Sequence, residues 1–421
     1  MMRGLSMEIV MAPVARAPGF YGRQVVAAAF VLAVCGWGMG FYGPPIYLDA
    51  VRTARGWSLA IISAAVTMHF LAGALVVANL PALYRGFGLA TVTKAGGVAL
   101  AAGVLGWALA GSPWQLFAAT ILSGAGWAAT GGAAVNAIVS PWFVRTRPVA
   151  LAMAYNGASI GGVIFSPLWV AAIGMLGFPI AAATVGIVVA LTVWVLAELW
   201  FARTPSQLGL APDGDPPRAA VASVAPLRAK PLPRGKLWRR PTFLTLAAGM
   251  ALGLFAQIGL IAHLFSLMAP ALGAQLAGLA MGAATAAAIA GRTLASWLMF
   301  PGADRRRIAC VSYAVQIAGS LTFIAAAGTS PSLLLVGVLL FGLGIGNATS
   351  LPPLIAQAEF ADDEVPRVVS LIVAISQAAY AFAPAAFGLI RELAPAGAGF
   401  FAAAALVQGL AIAIFLAGRG R

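Results

Sequence analysis

QLAGLAMGAATAAAIAGRTLASWLMFPGADRRR, the stretch from Gln275 to Arg307, decides how this chain is read. A run of small and apolar side chains holds one charge, Arg292, before the polar cluster Asp304-Arg305-Arg306-Arg307. At 1.5 Å of rise per residue, the interval from Arg292 to Asp304 sets the guanidinium about 18 Å inside the last polar residues. That is near the middle of a bilayer whose apolar core is roughly 30 Å thick. An unpaired arginine there costs at least about 2.5–3.5 kcal/mol. A partner inside the protein, or a ligand, has to compensate for it.

Composition agrees with a membrane setting. Of 421 residues, 62% are hydrophobic and 9% charged, with a mean hydropathy of +0.96. Soluble domains carry about 25% charged residues, so the chain reads as an integral membrane protein. Long unbroken apolar runs, rather than alternating ones, make it helical. Cys35 and Cys310 both fall inside apolar runs far apart in sequence and read as packing residues. The N-terminus through Arg23 has no clear small-residue cleavage site, and the apolar run after it is long enough to cross a membrane. It reads as an uncleaved first helix.

Twelve windows are long and apolar enough to span: 25–48, 58–83, 90–110, 114–139, 148–176, 179–201, 243–268, 274–300, 308–328, 332–357, 367–391 and 397–417. Short Gly/Pro/Ser joints separate most of them, such as Gly111-Ser112-Pro113 and Thr329-Ser330-Pro331. Residues 203–241 are different: Pro-rich, basic and without period. They divide the spans six and six, so the expected organisation is an N-terminal tail (1–24), a first six-helix bundle (25–202), a linker (203–241), a second bundle (242–417) and a short tail (418–421).

An even number of spans places both termini on one side. All but four of the 25 Lys and Arg fall in the tails, the linker and the joints of that same side. The exceptions are Arg52, Arg55 and Arg391 in the opposite joints, and Arg292 itself. This asymmetry orients helical membrane proteins with the basic side in the cytoplasm. It also reads the net charge of +14 as topology and contact with anionic lipid, not as nucleic-acid binding.

The halves echo one another. Span four carries Gly124-Ala125-Gly126, Asn136 and Pro141; span ten carries Gly342-Leu343-Gly344-Ile345-Gly346-Asn347 and Pro352-Pro353. Span five follows Arg147 with Ala150-Leu151 and Asn156; span eleven follows Arg367 with Ser370-Leu371 and Ser376-Gln377. Related six-helix halves with a site between them are a common build of secondary transporters. The 49 glycines allow close helix approach, and Pro44-Pro45, Pro167, Pro270 and Pro384 permit bends within spans.

With twelve spans, a long central loop and basic joints after spans two and eight, the whole chain resembles the major facilitator superfamily. Of that family's G-x-L-x-D-R-x-G loop motif, Leu83-Tyr84-Arg85-Gly86-Phe87-Gly88 stands here without the aspartate; the joint after span eight keeps Asp304-Arg305-Arg306. Within the superfamily the chain is most similar to the branch of monocarboxylate transporters and oxalate–formate exchangers. Tyr42-Gly43-Pro44 with Gly56-Trp57-Ser58, then Trp142-Phe143, Arg147, Ala150 and Asn156-Gly157, and finally His263-Leu264, Pro270, Gly273 and Gly291-Arg292 carry that likeness. It implies the facilitator fold and a role for Arg292 in binding a substrate carboxylate.

The departures narrow the expectation. Many monocarboxylate carriers have a proton-coupling aspartate one turn before the arginine, where Ala288 stands here. Tyr21-Gly22-Arg23 replaces the branch's acidic signature before the first helix. Oxalate exchange uses a lysine in helix eleven, where this chain has Gln377, so a singly charged substrate is expected rather than a doubly charged one. The glycine–proline signature of drug/proton antiporters is also missing, since Gly161-Gly162 and Pro167 do not fit its order.

Candidate site residues follow, each with a packing alternative. Arg292 binds a carboxylate with its planar fork, or is a structural arginine bonded to carbonyls and polar neighbours. His263 and His69 are candidates for donating to substrate or carrying a proton, or are satisfied core histidines. Asn136, Asn347, Gln257 and Gln377 line a cavity or bond helices together. Tyr42, Tyr155 and Tyr380 offer hydroxyls; Trp37 and Trp127 offer faces for stacking or fill the core; Asn156 reads as structural. Glu359, Asp362, Asp363 and Glu364 read as a solvated joint. Nothing points to catalysis: there is no G-x-x-x-x-G-K-S/T phosphate loop, no metal-spaced His/Cys cluster and no serine–histidine–acid set.

The expectation is therefore a monomeric secondary transporter of the inner membrane, both termini cytoplasmic, without cofactor or metal. It moves a small organic anion, a monocarboxylate, by alternating access, with proton-coupled uptake as the favoured mode. The alternatives are a carrier of a neutral or aromatic nutrient such as a vitamin, an exporter of amphipathic compounds, and a non-transporting sensor that keeps the fold.

Overall fold

The computed structural model describes residues 20–215, 237–299, 303–361, 364–394 and 397–419. All regular structure among them is helical. The first bundle comprises α1 (Tyr21–Gly40), α2 (Pro44–Arg55), α3 (Leu59–Phe87), α4 (Leu89–Leu109), α5 (Pro113–Thr130), α6 (Gly132–Val139), α7 (Arg147–Leu176) and α8 (Phe178–Leu196). The second comprises α9 (Pro241–Leu272), α10 (Ala274–Trp297), α11 (Arg305–Ala326), α12 (Pro331–Ile345), α13 (Asn347–Glu359), α14 (Val365–Ala381), α15 (Ala383–Leu393) and α16 (Ala398–Ala417).

These helices make the twelve expected spans, because four spans are broken in two: α1/α2, α5/α6, α12/α13 and α14/α15. Eleven of the spans are long and apolar enough to cross a membrane by themselves; the break at Gly131 leaves α5 and α6 as shorter pieces. Three pairs of spans are joined by one glycine each, Gly88, Gly177 and Gly273, with φ of 80°, 76° and 74°. The left-handed region stops one helix and starts the next within a single residue, and only glycine enters it without strain. α1 begins at Tyr21, inside the stretch read as tail.

Backbone freed by a break at membrane depth has no water to bond, so side chains must meet it. At the α1/α2 break, His69 Nε2 donates to Gly40 O (2.8 Å) and the Tyr47 hydroxyl to Met39 O (3.3 Å). After the α5/α6 break, the Tyr155 hydroxyl donates to Gly132 O (2.7 Å). At α12/α13, Gly346 O accepts from Ser350 Oγ (3.0 Å). The echo between spans four and ten extends to these breaks, whereas span seven, the counterpart of the broken span one, is the continuous 32-residue α9.

Both ends of the described chain lie at one face of the molecule, here the terminal face; the other is the distal face. The acidic joint at the terminal face was expected to be solvated; Glu359 is exposed, though paired, and Glu364 is buried. Arg306 is 1% exposed and needs an anion beside it. Glu359 supplies both oxygens, to Nε at 2.6 Å and Nη2 at 2.8 Å. Glu364 is buried against Arg240 Nη1 (2.7 Å); Asp362 and Asp363 lie outside the described residues. The first part of the linker is also bound down. Asp213 accepts from the backbone N–H groups of Val144, Arg145 and Thr146 and from the Thr146 hydroxyl (2.6 Å), capping the start of α7. Residues 216–236 of the linker lie outside the described residues, as do Arg3, Arg16 and Arg421.

Candidate functional site

The two bundles meet along a seam closed toward the distal face. α7 and α10 pack glycine to side chain: Gly278 against Val170, Gly282 against Val163 and Pro167, and Gly162 against Thr285. α3 and α15 add two hydrogen bonds across the seam, Glu392 Oε1 accepting from Ala60 N (2.8 Å) and Thr67 Oγ1 from Ala385 N (3.1 Å). An apolar plug of Phe41, Pro44, Val66, Phe70, Ile258 and Ile261 surrounds a void of only about 10 Å³. On the terminal side the same helices part: the positions that continue the seam face, Ala152 and Asn156 of α7 and Thr293 and Ser296 of α10, are exposed.

Arg292 stands where the closed half meets the parted half. α10 stops at Trp297, well short of Asp304, so the estimate of 18 Å of helix below the arginine is too long. The guanidinium is deep nonetheless, because helical side chains lean toward their own N-terminus, here the distal side. Its Nη2 donates to the Ser159 hydroxyl, about 18 Å along α7 from Arg147. The stem of Arg292 lies on Gly346, where a Cβ would come within 2.7 Å of Cγ and 2.6 Å of Ala288 O. Gly291 presses so closely on Leu343 O that no Cβ would fit. Glycines thus let α10 nest against the α12/α13 break and fix the direction of the arginine.

Around it gather Tyr42, whose hydroxyl is beside Thr285 and within electrostatic reach of Arg292, and Asn347. The Asn347 amide donates to Ser312 Oγ (2.9 Å) and Gly291 O (3.3 Å), while its Oδ1 is buried without a partner. One turn before Ser159, Tyr155 faces Trp37 edge-on (6.1 Å, 87°) and lies beside the exposed Asn136, whose Oδ1 accepts from Ser140 Oγ (2.7 Å). Arg292 is thus linked directly to Ser159 and Tyr42; Trp37 and Asn136 gather about Tyr155 one turn away, and the Asn347 amide turns to α11.

The remaining candidates lie elsewhere on the seam. Trp127 is stacked on His69 and Phe41, with its indole N–H unpartnered. Tyr380 meets Phe70 edge-on across the seam (6.0 Å). Gln257 is buried on α9 with Oε1 unpartnered, and Gln377 is half-buried on α14. His69 is engaged at both nitrogens, Nε2 with Gly40 O and Nδ1 with Ser123 Oγ (2.9 Å), and holds the α1/α2 break. His263 donates Nε2–H to Pro384 O (3.0 Å); its Nδ1 is buried and unpartnered in the distal gate, and Ser63 Oγ, also unpartnered, lies against the same side of Gly388. Ser159 and Thr285 were not singled out by sequence, since a small hydroxyl at membrane depth has the signature of helix–helix packing; the spacing of Ser159 one turn after Tyr155 was the available signal. Among the described residues, no group of three His, Cys, Asp or Glu side chains converges to hold a metal.

Residues 26–384 match the sequence model of the Major Facilitator Superfamily. The chain belongs to that superfamily. Solved structures agree with this facilitator in fold. A bacterial homologue of the human lysosomal transporter Spinster, inward-facing and occupied, superposes with a TM-score of 0.71 over 94% of this chain and 97% of its own, at 15% identity. The nucleoside transporter NupG, in a point-mutant form, superposes with a TM-score of 0.74 over 95% of this chain and 100% of its own, at 12% identity. No curated protein sequence matches the facilitator. It is a membrane transporter with a two-bundle fold, and the likeness at these identities is one of fold alone.

Proposed function

We propose that this facilitator carries a small organic monocarboxylate by alternating access, with Arg292 binding the carboxylate. The observation that carries the reading is the partner of that arginine: a neutral serine hydroxyl from the opposite bundle, not a carboxylate. A cation at membrane depth held, among the described residues, by neutral groups attracts an anion, and a guanidinium offers two parallel donors to a carboxylate. Because Arg292 and Ser159 belong to different bundles, an anion taking the serine's place acts at the seam that alternating access must open and close. The basic terminal face is cytoplasmic in this reading, so the seam parts toward the cytoplasm. Tyr42, Asn136 and Asn347 contribute polar contacts, and Gln257 and Gln377 line the path. His263, with a free ring nitrogen inside the distal gate, is the group proposed to accept a coupled proton.

A second reading is favoured by one feature. Trp127, Phe41 and Phe70 form an aromatic cluster beside the plug, and the Trp127 N–H lacks a partner. That arrangement suits a neutral planar cargo such as a vitamin. Purified wild type and Arg292→Gln, reconstituted in vesicles, separate the two. Counterflow driven by benzoate and lost in Arg292→Gln supports the carboxylate; counterflow driven by nicotinamide and kept in Arg292→Gln replaces it. No exchange above empty vesicles with any cargo sinks both.

A further inference from the structure

The distal face holds a charged feature outside the central site. Between Arg52 at the end of α2 and Arg391 of α15 lies a cleft of about 530 Å³, floored by Trp57, Ser58 and Leu59 and edged by Glu392. Its walls come from both bundles: Arg52 to Leu59 from the first, Arg391 and Glu392 from the second. It therefore exists only while the distal seam is shut, since opening would draw its two arginines apart.

The charges in it are not balanced pair by pair. Arg391 is held through neutral groups, Nη1 to Ser266 Oγ (2.5 Å) and Nη2 to Ser266 O (3.2 Å). Asp49 is one carboxylate within electrostatic reach of both Arg391 and Arg52. The Glu392 carboxylate accepts from Ala60 N in the first turn of α3 and keeps its charge at the edge of the cleft. Arg55 adds a further exposed cation on the same rim. Closing the seam thus gathers three arginines, Arg52, Arg55 and Arg391, about the two carboxylates of Asp49 and Glu392, an excess of one positive charge, beside the half-buried indole of Trp57.

We propose that this cleft is a second anion site, taking a small dicarboxylate with a flat apolar body: one carboxylate to each arginine, the body against Trp57. A ligand that binds one conformation and not the other shifts the population toward the one it binds. An anion in the cleft therefore locks the distal gate shut and holds the carrier open at the terminal face, which makes it an inhibitor of turnover acting at a distance from Arg292. The proposal is independent of what the central site carries.

Isophthalate has the required shape and charge and serves as the probe. Its effect is measured on the melting temperature of wild type, Arg52→Gln and Arg292→Gln in nanodiscs, and on alkylation of Asn156→Cys, made with Cys35→Ala and Cys310→Ala, at the parted terminal side. Isophthalate is expected to raise the melting temperature of wild type and Arg292→Gln by the same amount, to leave Arg52→Gln unmoved, and to speed the alkylation. Arg52 is exposed, so its replacement does not endanger folding; the melting temperature without ligand verifies this. A shift that survives in Arg52→Gln, a shift that disappears in Arg292→Gln, slower alkylation, or no response in wild type each overturns the proposal.

Discussion

Arg292 and Ser159 tie the two bundles together at mid-depth, the guanidinium donating to the hydroxyl across the seam. Every other neighbour of the arginine named above, Tyr42, Gly346 and Asn347, sits at a helix break or beside one. The charge is thus placed where spans are interrupted and where the halves of the protein must separate.

A substrate carboxylate that uses the guanidinium has to displace the serine. A hydrogen bond to a charged group contributes about 1.5–3 kcal/mol. Ser159→Ala is expected to lower the melting temperature without ligand and to enlarge the shift produced by benzoate. Arg292→Lys keeps the charge without the fork, and its benzoate affinity is expected to fall about tenfold, or ~1.4 kcal/mol. A benzoate shift unchanged in Ser159→Ala would show that the anion does not take the place of the hydroxyl.

Gly346 tests the direction of the arginine without touching its charge. A Cβ there would meet Ala288 O at 2.6 Å and the Arg292 stem at 2.7 and 2.9 Å. Overpacking of this kind costs about 1–3 kcal/mol. Gly346→Ala is expected to weaken benzoate binding as well as stability, measured by titration and melting. Gly174→Ala, with nothing within 4 Å of the new Cβ, is the matched control and is expected to change neither.

His69 is predicted to be structural. Its Nε2–H satisfies the carbonyl of Gly40 at the α1/α2 break, and its Nδ1 accepts from Ser123. His69→Ala strands both partners, and each buried unsatisfied group costs about 1–3 kcal/mol. The variant is expected to melt several degrees lower while its remaining transport keeps the wild-type pH profile. A flattened profile would instead make His69 the proton carrier.

Asp213 predicts a pH dependence outside the membrane. Burial by itself would raise this carboxyl, but the Thr146 hydroxyl and the three backbone N–H groups outweigh it and hold it down at about 2. A depressed carboxyl stabilises the fold above its unfolded value, near 4, and loses that contribution as the pH falls toward 2. Asp213→Asn is therefore expected to melt below wild type at pH 7, with the gap constant down to about pH 4 and narrowing beneath it. A gap that does not change between pH 5 and 3 would detach the effect from this carboxylate.

Much of this architecture was legible in the residues. Runs such as Gln275–Trp297, with one charge among small apolar side chains, state a membrane helix, because hydrocarbon tolerates little else. The break in period over 203–241 states two halves. The line Gly291-Arg292 pointed to the arginine, while the glycines at 342 and 346 were legible only as an echo of span four; that Gly346 receives the Arg292 stem is a tertiary contact. Glu364 was misread as solvated because the partner that buries it, Arg240, is distant in sequence.

The sequence alone determined the number of spans, the division into six and six and the basic face, since each follows from local hydropathy and charge. Only the tertiary structure decided which spans break, that Ser159 answers Arg292, that His69 serves the backbone of Gly40, and that Arg52 and Arg391 meet at a shut gate. These are contacts between helices far apart along the chain, and a helix's own composition carries no record of which neighbour its polar groups will face.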